Sequence, residues 1–496
     1  MTTKLKLLIL VLLLALFASD EPTTAQNLIF NTLFSFNNTN GAYPAAGLTL
    51  GPDGNLYGTT YVGGSSNVGT VFRVGIDGTF TSLLSFTGLK GGVPGAYPAA
   101  ALTKGLDGNL YGTTLLGGTN GSGTVFQLTT NAGFTSLASF KSLGGTRSVV
   151  GVFGDTAATN ANGGEPFAPL ALAGDGSFYG TTVYGGSNGV GTVFHVTTNG
   201  TLTSLVSFAG LATNGSPNAN GAKPLDSLTF GSNGNLYGLT AYGGSNGVGT
   251  VFQVTTNGTL TSLYSFSAGA NNANGFLTNA DGAEPIENSL TPGPNGNFYG
   301  ETSTGGTNGS GTIFQVTTNG AFNVVFTFDA QISDAEGDTN TTGASPNGLL
   351  PGPGGCFYGT ASNDGNNGVG TIFSLSTNGI FKLLYSLPPL VGSTNASGVE
   401  PTELTYGSDG NLYGTAYAGG AFGYGTVFEV IILPTLQIQF LNGNAVLSWS
   451  NSTYSLLSAT KATGPYSPVL GGSTSPYTNT VNTGSMFFKL GIVKSL

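Results

Sequence analysis

The chain has 496 residues, of which 39% are hydrophobic and only 7% are charged, and its formal net charge at pH 7 is −10. Such an acidic chain lacks the basic patches that nucleic acids and anionic membrane surfaces require, so we expect neither partner. The single cysteine, Cys356, excludes an intrachain disulfide framework. The single histidine, His195, excludes most zinc and catalytic-triad schemes.

The N-terminus has the pattern of a secretory signal. Lys4 and Lys6 precede an apolar run over residues 7–18, which is too short to span a bilayer comfortably, and small residues before Gln26 suit cleavage. The pattern predicts a signal peptide at residues 1–25 and a mature chain without a transmembrane segment. An uncleaved anchor helix is the alternative.

Seven copies of one short pattern follow, each anchored by a Tyr-Gly pair. The seven tyrosines lie about 59 residues apart on average, a period typical of propeller blades and solenoid units. They are Tyr57, Tyr111, Tyr179, Tyr237, Tyr299, Tyr358 and Tyr413.

The first full copy, residues 44–86, predicts four antiparallel strands. Pro44 opens an inner strand over residues 45–50, and Asp53-Gly54 then forms a tight turn into a second strand at 55–60. A looser Gly-Gly turn leads to the third strand at 69–74, and another Asp-Gly turn leads to the fourth at 79–86. Four strands per copy match a propeller blade.

The fourth-strand pattern also occurs before any complete copy, at residues 29–36, whereas the seventh copy at 401–432 has only three strands. We therefore expect the N-terminal strand to complete the last sheet, which removes an open sheet edge. The predicted fold is all-β: a closed seven-bladed β-propeller over residues 26–434. An open solenoid is the alternative.

After residue 434 the repeat stops. Alternating apolar residues near 436–440, an Asn442-Gly443 turn and the only tryptophan, Trp449, indicate further strands. The sequence predicts a small, separate, sandwich-like β module over residues 435–496.

The repeated element Asn-Leu-Tyr-Gly-Thr-Thr, Gly-Gly, Gly-Thr-Val-Phe, as at residues 55–72, resembles the Gloeo/Verruco (GloVer) tandem repeat. The resemblance covers roughly residues 27–432, because all seven copies keep the order and spacing. It implies a secreted bacterial protein with a propeller-like architecture, and it provides no catalytic residues to carry over. The tail resembles small fibronectin-like modules.

Few residues suggest chemistry. His195 and Cys356 occupy columns filled by other polar residues in the remaining copies, so we interpret both as structural. The repeated tyrosines are interpreted as core. Glu301 stands out because most copies have Thr in its place. It is interpreted either as a site residue or as a solvated or paired carboxylate.

A proline opens the inner strand of every copy, and the residues before these prolines would rim the central channel of a propeller. Aromatic, acidic and basic groups together suit a polar ligand or a cation, with a solvated rim as the alternative. The predicted ligand-binding rim is Tyr43, Tyr97, Glu165, Lys223, Glu284 and Glu400.

Alternating carboxylates at Asp334, Glu336 and Asp338 suit a structural Ca²⁺, although the loop does not follow the EF-hand pattern. An ordinary acidic loop is the alternative, and no other cofactor is expected.

The leading hypothesis is a secreted, monomeric, non-catalytic binding or cell-surface scaffold protein, with a polysaccharide or a protein bound by the inter-blade loops. A polysaccharide hydrolase or lyase that uses paired carboxylates is the first alternative. A structural envelope protein is the second.

Overall fold

The computed structural model describes residues 28–89, 91–143, 159–210, 218–286, 289–334, 337–433, 436–441, 444–449, 455–461, 463, 465–469, 472–473, 475–480 and 486–491. The predicted signal peptide at residues 1–25 lies outside the described residues. Within the described ranges, no helix is long and apolar enough to cross a membrane.

The protein is all-β, and its repeated units are antiparallel sheets of four strands. The first sheet comprises Thr49–Leu50, Leu56–Thr60, Thr70–Val74 and Phe80–Ser85, and the second comprises Thr103–Lys104, Leu110–Thr114, Thr124–Leu128 and Phe134–Ser139. The third comprises Ala171–Leu172, Phe178–Thr182, Thr192–Val196 and Leu202–Ser207, and the fourth comprises Thr229–Phe230, Leu236–Thr240, Thr250–Val254 and Leu260–Ser265. The fifth comprises Thr291–Pro292, Phe298–Thr302, Thr312–Val316 and Phe322–Thr327, and the sixth comprises Ala344–Pro351, Cys356–Asn363, Thr371–Ser376 and Phe381–Ser386.

The seventh sheet joins the two ends of the repeat region. Its inner strands are Val399–Pro401 and Thr405–Tyr406, followed by Leu412–Ala418 and Thr426–Ile432. The outermost strand is the N-terminal Leu28–Ser35, which pairs antiparallel with Thr426–Ile432. The predicted pairing of the N-terminal strand with the last sheet is thereby confirmed.

Tight turns form as the sequence predicts. The glycine three residues before each anchor tyrosine has φ between 76° and 85°, a left-handed conformation that a residue without Cβ adopts at low cost. We call the side of the molecule where these tight turns connect the strands the turn end. We call the opposite side, where the Gly-Gly loops and the inter-sheet segments lie, the loop end.

The innermost strands are shorter than predicted. The inner strand expected over residues 45–50 contains only Thr49–Leu50. The preceding segment is held by a side chain from another sheet instead of by a strand ladder: the Thr415 hydroxyl donates to the Ala46 carbonyl at 3.0 Å. In the sixth sheet the inner strand is long, Ala344–Pro351, and it bulges between Asn347 and Leu349.

The core lies between successive sheets. Tyr237 of the fourth sheet is fully buried, and its ring lies 4.6 Å from that of Phe298 in the fifth. The equivalent Tyr299 packs on Phe357 of the sixth sheet at 4.6 Å. The anchor tyrosines are therefore core residues between sheets, as the sequence predicts, and burial of such large rings is a main source of stability.

Two hairpins are inserted at the loop end: Ala270–Asn271 with Leu277–Thr278, and Ile332–Asp334 with Gly337–Thr339. A short 3-10 turn, Pro353–Gly355, occupies the turn of the sixth sheet.

The C-terminal residues form two three-stranded sheets. One comprises Gln437–Leu441, Asn444–Ser448 and Tyr477–Thr480, and the other Ser455–Ala459, Ser467–Pro468 and Phe487–Gly491. Leu447, Trp449 and Leu456 are buried in one cluster that both sheets share. This arrangement is consistent with a small sandwich, and the boundary of the module at residue 435 stays a prediction.

Candidate functional site at the loop end

The residues before the seven inner prolines share one unusual backbone conformation. Each has φ between 51° and 59°, although none is glycine. They are Tyr43, Tyr97, Glu165, Lys223, Glu284, Ser345 and Glu400, and we call them the pre-proline positions. Non-glycine residues adopt this left-handed region uncommonly, so the surrounding structure must impose it.

Hydrogen bonds from two sheets impose this conformation. The Tyr97 amide donates to the Val68 carbonyl of the preceding sheet at 2.8 Å, and the Tyr97 carbonyl accepts from the Leu115 amide of its own sheet at 3.1 Å. The following proline packs on a glycine of the preceding sheet: a Cβ on Gly69 would lie 2.5 Å from Pro98 Cδ. The same contact joins the seventh sheet to the first, where a Cβ on Gly425 would lie 2.6 Å from Pro44 Cδ.

Tyrosines cluster around two of the pre-proline positions. The Tyr43 ring stacks on that of Tyr417 with centroids 5.1 Å apart, and the Tyr97 ring lies 5.2 Å from that of Tyr61. Burial raises the pKa of Tyr61 to about 12, and the nearby Tyr417 and Tyr97 add to the effect. We call Tyr43, Tyr61, Tyr97 and Tyr417 the tyrosine sector. All four are half-buried.

Charged residues occupy four of the five pre-proline positions that follow. Glu165 is buried and lies close enough to Tyr61 to raise its pKa further. Lys223 is also buried, and its ammonium group lies 5.4 Å from the ring centroids of both Tyr184 and Tyr242, a cation–π geometry. We call Glu165, Lys223, Glu284 and Glu400 the charged sector.

The two remaining glutamates of this sector have raised pKa values. Burial raises the pKa of Glu284, and the surrounding protein partly desolvates the Glu400 carboxyl and raises its pKa as well, although the Glu400 residue as a whole is exposed. Glu284 also lies near Tyr242, which contacts Lys223. The structure therefore brings five predicted rim residues into contact with, or close to, aromatic rings, whereas Glu400 is exposed on the seventh sheet.

One cavity lies among the innermost segments of the sheets. Its lining includes a residue from the inner segment of every sheet from the first to the seventh: Ala46, Ala100, Ala168, Asp226, Ser289, Asn347 and Glu403. Its volume of about 40 Å³ accommodates a few water molecules and excludes a sugar ring. A ligand larger than a small ion must therefore bind outside this cavity.

Glu301 lies beside the lining residue Glu403 and is fully buried. In most other sheets a threonine hydroxyl at this column donates to a carbonyl of the next sheet, as Thr181 does to Asp226 at 3.0 Å. Glu301 reverses that bond: its Oε2 accepts from the Gly348 amide at 2.7 Å. Burial raises the pKa of Glu301 to about 8, so the carboxyl is mostly protonated at neutral pH. It is neither solvated nor in an ion pair among the described residues.

Sequence reasoning missed the asparagines that tie the loops together. Asn279 Oδ1 accepts from the amides of Gly282 and Gly306 at 2.8 and 2.9 Å, and its Nδ2 donates to the Ser267 and Gly282 carbonyls. Asn160, Asn340 and Asn395 make the corresponding bonds. The sequence signal is an Asn three residues before a glycine, as at residues 279–282 and 395–398, and it is inconspicuous because the inter-sheet segments differ in length and the one before the second sheet lacks the Asn.

The other candidates give a mixed result. His195 is half-buried against the Tyr179 ring at 4.7 Å, and Cys356 is half-buried beside the 3-10 turn, where burial raises its pKa. Of the predicted calcium ligands, Asp334 and Asp338 lie on the two strands of one hairpin, whereas Glu336 lies outside the described residues. Within the part of the chain that the structure describes, no three Asp, Glu, His or Cys residues converge as a metal site.

A chain of repeated four-stranded antiparallel sheets, linked through the same glycine, proline and tyrosine positions, is a β repeat protein. It belongs to the Gloeobacter/Verrucomicrobia repeat family, whose model matches residues 21–159 and 153–339. The family predicted from the sequence is thereby confirmed.

No curated protein matches the chain. Among solved structures, a gluconolactonase from Xanthomonas campestris is 12% identical, with 82% of this chain and 91% of that chain covered and a TM-score of 0.36. A second protein, described as a candidate gluconolactonase, is also 12% identical, with 84% and 94% covered and a TM-score of 0.36. Similarity at this level carries no argument about activity.

Proposed function

We propose that the repeat region is a closed seven-bladed β-propeller. Three observations support closure: the N-terminal strand pairs with Thr426–Ile432, Thr415 of the last sheet bonds to Ala46 of the first, and one cavity is lined by the inner segments of the whole series. In a propeller this cavity lies on the central axis. The pre-proline positions then ring its mouth at the loop end.

We further propose that the protein is an exported, non-catalytic polysaccharide-binding scaffold, with the ligand lying across this ring. The tyrosine sector is the single observation that carries the proposal. Four half-buried tyrosines from three adjacent sheets offer rigid apolar faces at one place on the loop end. Pyranose rings present patches of C–H groups that stack on such faces, while their hydroxyls need polar partners nearby.

The charged sector supplies those polar partners. The carboxyl groups of half-buried Glu284 and exposed Glu400 can accept hydrogen bonds from sugar hydroxyls or, when protonated, donate to them, and a binding site of aromatic faces with a few polar groups is typical for such ligands. Because the axial cavity has a volume of only about 40 Å³, an extended chain across the ring fits better than a sugar inserted into it.

The backbone conformation supports a role for these side chains. Glycine adopts positive φ at the lowest cost, yet none of the seven pre-proline positions is glycine. Folding alone would favour glycine at these positions, so the side chains must make interactions that offset the backbone strain. Packing explains part of this for buried Lys223, whereas Tyr43, Tyr97 and Glu400 remain at least partly accessible.

A hydrolase or lyase remains the alternative, because burial raises the pKa of both Glu284 and Glu400, as expected of a general acid. Burial is the cause of both shifts, so nothing indicates the mutual proximity of carboxylates that glycosidases require, about 5–10 Å. We therefore place binding ahead of catalysis.

Binding of the purified protein to a panel of polysaccharides, measured by affinity electrophoresis and calorimetry, tests the proposal. Tyr43→Ala with Tyr97→Ala should weaken binding of a responding glycan at least about tenfold, equivalent to about 1.4 kcal/mol. Tyr406→Ala is the matched control, since Tyr406 is an equally half-buried tyrosine at the turn end.

Release of reducing ends or unsaturated products from the same glycan separates binding from catalysis. We expect none from the wild type. Turnover that Glu284→Gln or Glu400→Gln abolishes would establish the enzyme instead. If no glycan binds, the polysaccharide proposal is wrong, and a protein ligand or a structural envelope role takes its place.

A further inference from the structure

The Gly-Gly loop of the sixth sheet contains a substitution that the other sheets exclude. The first glycine of this loop has φ between 74° and 82° in the other six sheets: Gly63, Gly117, Gly185, Gly243, Gly305 and Gly419. In the sixth sheet Asp364 takes this place at φ 59°. A Cβ on Gly63 would lie 2.6 Å from a backbone oxygen, and one on Gly305 would lie 2.6 Å from a backbone nitrogen. Asp364 therefore introduces a carboxylate where the repeat normally has no room for a side chain.

The Asp364 carboxylate is buried with unmet hydrogen-bonding capacity. Asp364 is only 4% exposed, and its Oδ2 has no hydrogen-bond partner among the residues that the structure describes. The Gln331 side chain donates to this carboxylate, and the Gln331 Oε1 is itself buried without a partner within the same described set. Asp364 Oδ2 and Gln331 Oε1 are therefore two buried acceptor oxygens on side chains that contact each other. Leaving such oxygens without a partner costs free energy unless a ligand or an ion binds them.

A second, solvent-exposed carboxylate lies near enough to the first for its charge to act on it. Asp338 lies on the inserted hairpin of Ile332–Asp334 and Gly337–Thr339, and its charge acts on Asp364. The hairpin packs on the sixth-sheet loop, since a Cβ on Gly368 would lie 3.0 Å from the Asp338 carbonyl oxygen. Asn340 maintains this arrangement: its amide donates to the Gly365 carbonyl and its Oδ1 accepts from the Gly365 amide, both at 3.3 Å.

A comparison with Asp281 shows what Asp364 lacks. Asp281 is also buried, at 5% exposure, in the preceding inter-sheet segment. It accepts from the Tyr264 hydroxyl at 2.5 Å, from the Ser267 amide at 3.0 and 3.1 Å, and from the Ser267 hydroxyl. Protein donors thus stabilise one buried aspartate. The other accepts one hydrogen bond from the Gln331 side chain and lies within reach of the Asp338 charge, and within the described ranges no lysine or arginine forms an ion pair with it.

We propose that Asp364, Asp338 and the amide oxygen of Gln331 bind a calcium ion between the sixth-sheet loop and the inserted hairpin. Calcium takes six to eight oxygen ligands in flexible geometry, including carboxylates, amide and backbone carbonyls, and water. Two carboxylates would neutralise the ion, and the carbonyl oxygen of Asp338 offers a backbone ligand on the same hairpin. Magnesium is less suitable because it demands near-ideal octahedral geometry and dehydrates reluctantly.

This site differs from the one that the acidic hairpin alone predicts. Asp338 belongs to both, but the new site is centred on Asp364 and needs neither Asp334 nor Glu336. It is also independent of the polysaccharide proposal, since the pre-proline position of the sixth sheet is Ser345 and belongs to neither the tyrosine nor the charged sector.

Calorimetric titration of the chelator-treated full-length protein with CaCl₂, together with thermal unfolding in calcium, magnesium or EGTA, tests the site. We expect one calcium per chain, a higher Tm in calcium than in EGTA, and a smaller effect of magnesium. Asp364→Gly restores the residue of the other sheets and should lower calcium affinity at least tenfold while the protein stays folded in EGTA. Asp338→Asn should do the same and serves if Asp364→Gly does not fold.

The matched control is Asp175→Asn. Asp175 is an exposed turn aspartate, and asparagine occupies the same column at Asn233 and Asn295, so its calcium response should equal that of the wild type. Absence of calcium binding by the wild type, or unchanged affinity in both site variants, overturns the proposal. A wild type whose Tm rises at low pH but does not respond to calcium would also overturn the proposal. It would show that protonated Asp364 donates a hydrogen bond to the Gln331 oxygen in place of a metal.

Discussion

The two ends of the sheets place different demands on the sequence. At the turn end, an aspartate or asparagine bonds the hydroxyl of the anchor tyrosine in five of the seven copies. The Tyr57 hydroxyl donates to Asp53 at 2.9 Å, and the Tyr413 hydroxyl donates to Asp409 at 3.0 Å. At the loop end the backbone is repeated just as closely, but the side chains at the pre-proline positions range from tyrosine to glutamate and lysine.

This difference fits the proposed division between an architectural turn end and a ligand-binding loop end. A side chain that is repeated at the same position has the same structural role in each sheet that carries it. Where only the backbone is repeated and the side chains vary, the position is suited to binding, because loops on a rigid scaffold can change without loss of the fold. The loop end should accordingly tolerate substitutions that the core between the sheets does not.

The largest expected contrast is between two tyrosine truncations. Tyr237→Ala removes a fully buried ring packed between the fourth and fifth sheets, and it should lower the free energy of unfolding by about 3–5 kcal/mol. Tyr97→Ala removes a half-buried ring at the loop end and should lower it by about 1 kcal/mol or less. Chemical denaturation of both variants checks the contrast.

Tyr237→Phe is the control for the first truncation, because it deletes the hydroxyl and keeps the ring. It should lose only the bond from Asn233, about 1 kcal/mol. Equal losses for Tyr237→Ala and Tyr97→Ala would contradict the division between the core and the loop-end surface.

Glu301 predicts a pH dependence of stability. Its carboxyl has an ordinary pKa of 4.5 and a folded-state pKa of about 8, so between these values the folded protein keeps a proton that the unfolded chain has lost. The free energy of unfolding should therefore fall as pH rises from about 4.5 to 8, with a contribution from this group of about 1.4 kcal/mol per pH unit at most. Denaturation midpoints at several pH values measure the slope.

Glu301→Gln isolates this contribution. Glutamine stays neutral, and its carbonyl oxygen can keep the bond from the Gly348 amide. Glu284, Glu400 and Asp364 also have raised pKa values and act in the same direction, so the informative quantity is the difference between wild type and variant. Parallel pH profiles would show that Glu301 has the same protonation in the folded and unfolded states.

Sequence reasoning predicted the turn end better than the loop end. Aspartate or asparagine before glycine is a local turn signal, and its period made each strand visible. The pairing of residues 28–35 with the last sheet also followed from the pattern, because one copy lacked a strand that the N-terminus supplied. These predictions depend on short segments and on their repetition.

The remaining features depend on contacts between distant segments. A residue before proline is normally extended, so positive φ at Tyr43 or Glu400 was not predictable without the neighbouring sheet that accepts its amide bond. The Asn279 bonds join segments 27 residues apart. Likewise, the replacement of a loop glycine by Asp364 becomes informative only beside Gln331 and Asp338.

The smallest expected effect is that of replacing an aspartate with asparagine at the turn end. Asp107→Asn at the turn end should change the free energy of unfolding by about 0.5 kcal/mol or less. Asp107 accepts from the Tyr111 hydroxyl at 2.7 Å, whereas Asn233 donates to the Tyr237 hydroxyl at 2.8 Å. A hydroxyl can serve as donor or acceptor, so either residue satisfies the same tyrosine position.

Asn279→Asp at the loop end should cost more, about 1–3 kcal/mol. The Nδ2 group of Asn279 donates to the Ser267 and Gly282 carbonyls at 2.9 and 2.8 Å, and a carboxylate has no hydrogen to offer either oxygen. Denaturation at neutral pH compares the two exchanges directly. A loss for Asp107→Asn as large as that for Asn279→Asp would mean that turn-end aspartates act through their charge, and the equivalence of the copies at that end would fail.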